Sequence, residues 1–208
     1  MYRPPAFAVD DADADADTLD AFIDAHPFAI LASSGTGAPQ LSHAPVLRAA
    51  NGDLVCHLAR PNPHGAVLAG GAATTVIFSG PHGYVSPRWY AVDHAVPTWN
   101  YTSVHVQVTP VEIKGAELLR SSMEAMLDRF EPAPDIRDIV TDDTVSGMLR
   151  GIRGFRLEVV AREGAFKLSQ NRSETDQLGV LAGLASGSSG DAALAEFMSA
   201  RRGLLHDR

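Results

Sequence analysis

An Asn-Gly pair at positions 51–52 separates two apolar runs, QLSHAPVLRA from Gln40 and DLVCHLAR from Asp53. Asn and Gly tolerate the positive φ angles that a tight reversal demands, so the pattern predicts an antiparallel hairpin. With a two-residue turn Ala50 pairs with Asp53, and the same register sets Val46 opposite His57 and His43 opposite Arg60. Side-chain alternation then puts His43 and His57 on opposite faces. Further strands are read in FAILASS from Phe28, AATTVIFSG from Ala72, YVSP from Tyr84, WNYTSVHVQVTPVEI from Trp99 and IRGFRLEVVA from Ile152. Gly80, Pro81, Gly83 and Pro87 mark GPHGYVSPRWY as a sharp loop.

Helical spacing appears at the two ends and once in the middle. Leu19, Phe22 and Ile23 follow it from Thr18 to a stop at Pro27, and the acidic DADADAD from Asp11 to Asp17 suits the positive end of that helix. GAELLRSSMEAMLDRF brings Leu118, Leu119, Met123, Met126, Leu127 and Phe130 near one helical face. A shorter helix is expected from Asp143 to Leu149, and two more from Glu174 to Leu184 and Asp191 to Arg201, joined by a GSSG linker. Consecutive strands with helices set around them predict an α+β fold dominated by a closed antiparallel sheet of the barrel type, not alternating βαβ units. The organisation read from this is one domain over 1–184 and a helical C-terminal tail over 185–208.

The composition excludes several classes. Seventeen basic against 25 acidic residues give a formal charge of −8, which opposes unassisted attraction to a phosphate backbone. The single cysteine, Cys56, makes no internal disulfide. The acidic N-terminus lacks the apolar core of a signal peptide, and no run of about 18 apolar residues offers a membrane span, so a cytoplasmic address is expected. No GxSxG turn, Walker loop, HxH or HExxH spacing occurs. With His43 and His57 on opposite faces, no metal site is expected. His82, His94 and His105 have no spacing that marks an acid–base role.

One segment suggests an anion site. In ARPNPHGAVLAGG, Asn62 is a plausible N-cap and Pro63 a plausible first helical residue. Free N–H groups at that helix start, flanked by Arg60 and His64, form a ready phosphate site. Taken alone, the segment is better read as a plain capped helix beside a solvated arginine.

Four strings extend this reading: FSGPHGYVSPRWY from Phe78, VPTWNYTSVHV from Val96, GFRLEVVAREGAFKLSQNRS from Gly154, and CHLARPNPH. Together they closely resemble the PaiB-like family of FMN-binding negative transcriptional regulators, from MYRPPAF to about Leu184. The resemblance implies an antiparallel, Greek-key FMN-binding split barrel, similar in fold to the pyridoxamine phosphate oxidases. It implies a homodimer with cofactor sites at the subunit interface. Ser42, His43 and Val46 of SHAPV would line the flavin ring and ribityl chain. His57, Arg60, Asn62 and His64 of HLARPNPH would hold the phosphate.

Trp99, Asn100 and Tyr101 could cover a flavin face and bond its carbonyl edge, or Trp99 and Tyr101 could fill core and dimer space, and Lys167 and Gln170 could donate to the cofactor or simply brace a loop. Gly65 and Cys56 depart from the family pattern, which often has a bulky residue and a glycine there. The activity implied is that of a flavin-dependent oxidoreductase or a flavin-linked sensor, with no catalytic side chain assigned. The alternative is a negative transcriptional regulator acting without catalysis, directly or through a partner. Direct DNA contact is disfavoured, because Arg201 and Arg202 of the best helix pair are offset by Asp191 and Glu196.

Overall fold

The computed structural model describes residues 1–10, 13–35, 37–92, 95–133 and 135–205; Asp11 and His94, named above, lie outside them. Seven strands are present: β1 (Ala8–Asp10), β2 (Phe28–Ser33), β3 (Gln40–Arg48), β4 (Leu54–Ala59), β5 (Thr74–Val85), β6 (Thr98–Glu112) and β7 (Ile152–Lys167). They form one sheet in the order β1-β7-β4-β3-β2-β5-β6, and β7 pairs with β6 as well. The pairings of β1 with β7, β2 with β3 and β5, and β4 with β3 and β7 are antiparallel. The helices are α1 (Asp13–Ala25), α2 (His64–Ala69), α3 (Ala116–Phe130), α4 (Ile136–Ile139), α5 (Asp142–Gly151), α6 (Glu174–Ala185) and α7 (Ser189–Leu205). Among the described residues no helix is long and apolar enough to cross a membrane.

Three expectations change. The hairpin register is one residue away from the two-residue turn, with Val46 opposite Cys56, Leu47 opposite Val55 and Arg48 opposite Leu54. The chain reverses through a three-residue loop: Ala49 N–H donates to Asp53 O, Gly52 N–H donates to Ala49 O, and Gly52 takes φ +87°. A type I turn followed by a left-handed glycine gives this geometry, and Asn51 stabilises it by accepting from Asp53 N–H and donating to the Asp53 carboxylate. Consequently His43 and His57 project on the same side of their strands, opposite to buried Ser42, Ala44, Val46, Cys56 and Leu58.

Second, GPHG is no loop, for β5 runs unbroken from Thr74 to Val85. Pro81 accepts from Thr102 Oγ1 through its carbonyl, and a Cβ on Gly83 would meet Leu184 and Leu194 at 3.4 and 3.2 Å, so these breakers serve a crowded strand. Third, Leu118 faces outward, while Leu119 and Met126 carry the buried side of α3.

The chain clusters into two compact units. One comprises residues 1–19, 79–104 and 163–208; the other comprises 20–78 and 105–162. In the first, Phe166, Val180, Leu184, Leu194 and Met198 form a core beneath α6 and α7, and α7 packs on α6. In the second, Phe22, Leu31, Val46, Leu58, Leu68, Phe78, Phe155 and Leu157 fill the interior. Arg48 bonds Asp24, and Arg162 bonds Asp20, tying α1 to strands of the sheet. Cys56 is buried there, which pushes its thiol up to about 12 and leaves it unreactive.

Candidate functional site

The turn between β4 and α2 is built from its own side chains. Asn62 Oδ1 accepts from His64 N–H, the first of α2, at 3.0 Å, although Pro63 and not Asn62 holds the cap position, and Asn62 Nδ2 donates to Ser42 Oγ at 3.1 Å. His64 is 1% exposed. Its Nδ1 lies 2.9 Å from Ser42 Oγ and its Nε2 lies 2.7 Å from Ser33 Oγ, which is 2.7 Å from Thr74 Oγ1. Thr74 donates to Ala72 O at 2.8 Å. A hydroxyl has one proton to give. Thr74 spends its own on Ala72, so Ser33 donates to Thr74 and accepts from His64 Nε2–H. Ser42 in turn donates to His64 Nδ1 while accepting from Asn62. The chain therefore runs in one direction from Asn62 to Ala72 and holds His64 as the neutral Nε2–H tautomer. Burial lowers its pKa in the same sense.

This wiring corrects the expectation of free N–H groups at the helix start. Asn62, His64, Gly65 and Ala66 N–H donate to Ala59 O, Asn62 Oδ1, Asn62 O and Pro63 O respectively. Arg60 turns away from α2: Nε donates to Arg150 O and Nη2 to Ile152 O, each at 2.8 Å. It lines a cavity of about 670 Å3 with Arg120, Ser146 and Arg150, alongside Ile113, Leu119, Leu149 and Glu117. Arg120 bonds Ser146 Oγ and Asp142. Three arginines and a serine lining one cavity suit a doubly charged phosphate, with Glu117 on the lining and Asp142, paired to Arg120, as opposing charges.

The remaining predicted residues fall in three places. Val46 is core, 1% exposed. His43 is exposed and stacks on Phe28, with centroids 6.1 Å apart. His57 belongs to a different cavity, beneath α3 and α5. Trp99, Asn100, Lys167 and Gln170 belong to the first unit. Trp99 is 48% exposed and meets His82 and Tyr84 with centroids 6.0 and 6.3 Å away, an aromatic surface able to stack on a planar group. Asn100 donates to Ser169 Oγ at 2.9 Å, while its buried Oδ1 has no hydrogen-bond partner among the described residues. Lys167 donates to Thr98 Oγ1 and to Trp99 O, and burial lowers its pKa. Gln170 accepts from Leu168 N–H and donates to Ala6 O and Phe166 O, so it is a brace.

The sequence reading missed Ser33, Thr74, Arg120, Ser146 and Arg150. The serine and threonine carry no local signal, since only the β2–β5 pairing of Ser33 with Thr74 brings them together. Arg120 and Arg150 meet Arg60 through helix packing, which periodicity does not specify. Among the described residues no cluster of His, Cys, Asp or Glu could hold a metal.

A family model described as "Putative FMN-binding domain" matches residues 1–161. The chain is 31% identical over 187 residues to "Protease synthase and sporulation protein PAI 2" of Bacillus subtilis (strain 168), covering 87% of each sequence. Among solved structures it resembles the FAD and heme binding protein of Mycobacterium smegmatis, with TM-score 0.60 and 22% identity, over 73% of this chain and 70% of that one. It also resembles the flavocytochrome Anf3 of Azotobacter vinelandii, with TM-score 0.64 and 16% identity, over 80% and 72%. These two likenesses concern the fold. The fold and the two sequence matches agree, and the chain belongs to the PaiB-like FMN-binding family.

Proposed function

We propose that the chain is an FMN-binding split-barrel homodimer that acts through the redox state of its flavin, as an oxidoreductase or as a flavin-linked sensor. The observation that carries this reading is the convergence of Arg60, Arg120 and Arg150 with Ser146 on one cavity, in a chain of this family. Bound flavin supplies electron uptake and release; the protein contributes binding, orientation and field. Arg60 keeps its guanidinium fixed through two backbone carbonyls and presents its remaining donors to the phosphate, an arrangement that loses little entropy on binding. Asn62, Ser42 and His64 act one step back, holding the turn from which Arg60 projects. The β7–β6 pairing, additional to the order that begins with β1 and ends with β6, supports the split-barrel reading.

The dimer is assigned to the outer face of β2 and β3. There Phe28 and Leu41 are 66% and 62% exposed, and Phe28 lies opposite Pro45 and Ile30 opposite His43. Regulation without catalysis is the second reading, and an indirect route favours it over DNA contact. Arg201, one of the two adjacent arginines of the C-terminal helix pair, lies over the Phe166 ring at 4.8 Å.

Equilibrium dialysis tests the phosphate assignment. Arg60→Ala and Arg150→Ala should each weaken FMN binding by about tenfold or more and leave riboflavin binding unchanged. Arg150→Ala retains the carbonyl that Arg60 uses, so it separates charge from folding. Equal FMN affinity in the parent and both variants would refute the site.

A further inference from the structure

The second cavity, about 300 Å3 in volume, is roofed by Met123, Met126, Phe130, Val145 and Met148 and floored by Pro45 and His57. Its lining is apolar apart from His57 and the carboxylates of Glu124 and Glu131. Met148 and Phe130 are 47% and 44% exposed, which leaves the mouth accessible to solvent. His57 Nδ1 is buried and has no hydrogen-bond partner among the described residues. A buried nitrogen in that condition costs roughly 1–3 kcal/mol, and native structures retain few of them. Water is a partial remedy, because it needs two to four polar partners and beyond the imidazole this lining offers polar groups only at Glu124 and Glu131.

We propose that this cavity binds a small, neutral, flat heteroaromatic molecule of one or two rings, whose polar edge hydrogen-bonds to His57. The volume lies at the low end for ligand pockets, which sets the size. Three methionines give the chemistry of the faces: thioethers contact aromatic rings favourably and adapt to their outline. Glu124 and Glu131 on the lining repel an anion, so neither the phosphate nor the whole of FMN is the occupant. Burial holds the His57 imidazole neutral, able to donate or accept according to the edge it meets. The site shares no lining residue with the Arg60 cavity, and the inference does not rest on the flavin reading.

The test uses 7-azaindole, which both donates and accepts, and naphthalene, which does neither. Each is titrated into the full-length protein saturated with FMN, while the His57 ring nitrogens and the methionine methyl groups are followed by NMR. The expected result is saturable 7-azaindole binding that shifts His57 Nδ1 and the methyls of Met123, Met126 and Met148. His57→Phe should weaken 7-azaindole about tenfold while leaving naphthalene unchanged. Met148→Trp, which fills the cavity from its mouth, should abolish both. Shifts that do not saturate, that map elsewhere, or that are equally strong in His57→Phe would overturn the proposal. The wild-type titration decides this even if a variant misfolds, and FMN retention in the same sample reports on the flavin reading separately.

Discussion

Protonation of His64 would set a second donor against Ser42, whose hydroxyl is already committed to Nδ1 by the direction of the chain from Asn62 to Thr74. The folded state therefore binds protons on His64 and on half-buried His57 less readily than the unfolded chain, and both pKa values lie below the ordinary 6.5. An imidazole depressed in the fold contributes stability in full above the unfolded value and loses it as pH falls below 6.5 towards the folded value. Urea midpoints should fall between about pH 7.5 and pH 5.5, by at most about 1.4 kcal/mol per pH unit for each imidazole. His64→Leu should flatten its share of that slope. It should also cost roughly 2–4 kcal/mol at neutral pH, since Ser33 and Ser42 are left buried without their partner. A variant as stable and as pH-dependent as the parent would show that the hydrogen-bond chain is not what holds this turn. Only part of this network was legible in advance. The Asn62 side chain was readable as an acceptor at the helix start because capping is local, whereas the destination of the His64 ring depends on Ser33 and Thr74, which lie 31 residues before it on β2 and ten residues after it on β5.

At the scale of elements, the short segment Pro87–Trp89 lies against α6. A Cβ on Gly179 would stand 2.0 Å from the Trp89 carbonyl oxygen, and one on Gly183 would stand 2.3 Å from the Trp89 ring. Gly→Ala inside a helix ordinarily stabilises by about 1 kcal/mol. Here Gly183→Ala should instead destabilise by roughly 1–3 kcal/mol, because the tryptophan must leave its seat. Thermal unfolding followed by tryptophan fluorescence checks this, and a raised midpoint would contradict the packing. The elements themselves were largely readable: α1, α3, α5 and α6 overlap the expected spans, as do β2, β3, β4, β6 and β7, while α7 begins at Ser189, inside the expected GSSG linker. Two readings failed for tertiary reasons. Asn51-Gly52 was sound as a reversal signal, but a left-handed glycine serves a three-residue loop as well as a two-residue one, and the sequence does not choose between them. Gly80, Pro81 and Gly83 looked like breakers because their usefulness in β5 comes from Thr102, Leu184 and Leu194, which the local string does not contain. Strand β1, three residues long, was missed because it is defined by its pairing with Ala165, Gly164 and Glu163.

For the molecule as a whole, a charge of −8 and a cluster of three arginines are compatible because the cluster is local. On the proposed reading, the acidic surface elsewhere disfavours polyanions while the arginine cavity takes one small phosphate. If the outer face of β2 and β3 is the dimer contact, Phe28→Asp combined with Leu41→Lys should convert the sedimenting species from dimer to monomer without unfolding the chain. An unchanged dimer would move the interface elsewhere. The family and its cofactor were readable from motif strings, and the arginine cavity was not, since Arg120 and Arg150 join Arg60 only when α3 and α5 pack. The most direct measurement of the central claim is a fluorescence titration of flavin-free protein with FMN and, in parallel, with riboflavin. FMN should quench stoichiometrically, one per chain, with riboflavin at least tenfold weaker because it lacks the phosphate. Equal affinities for the two flavins, or no binding of either, would contradict it.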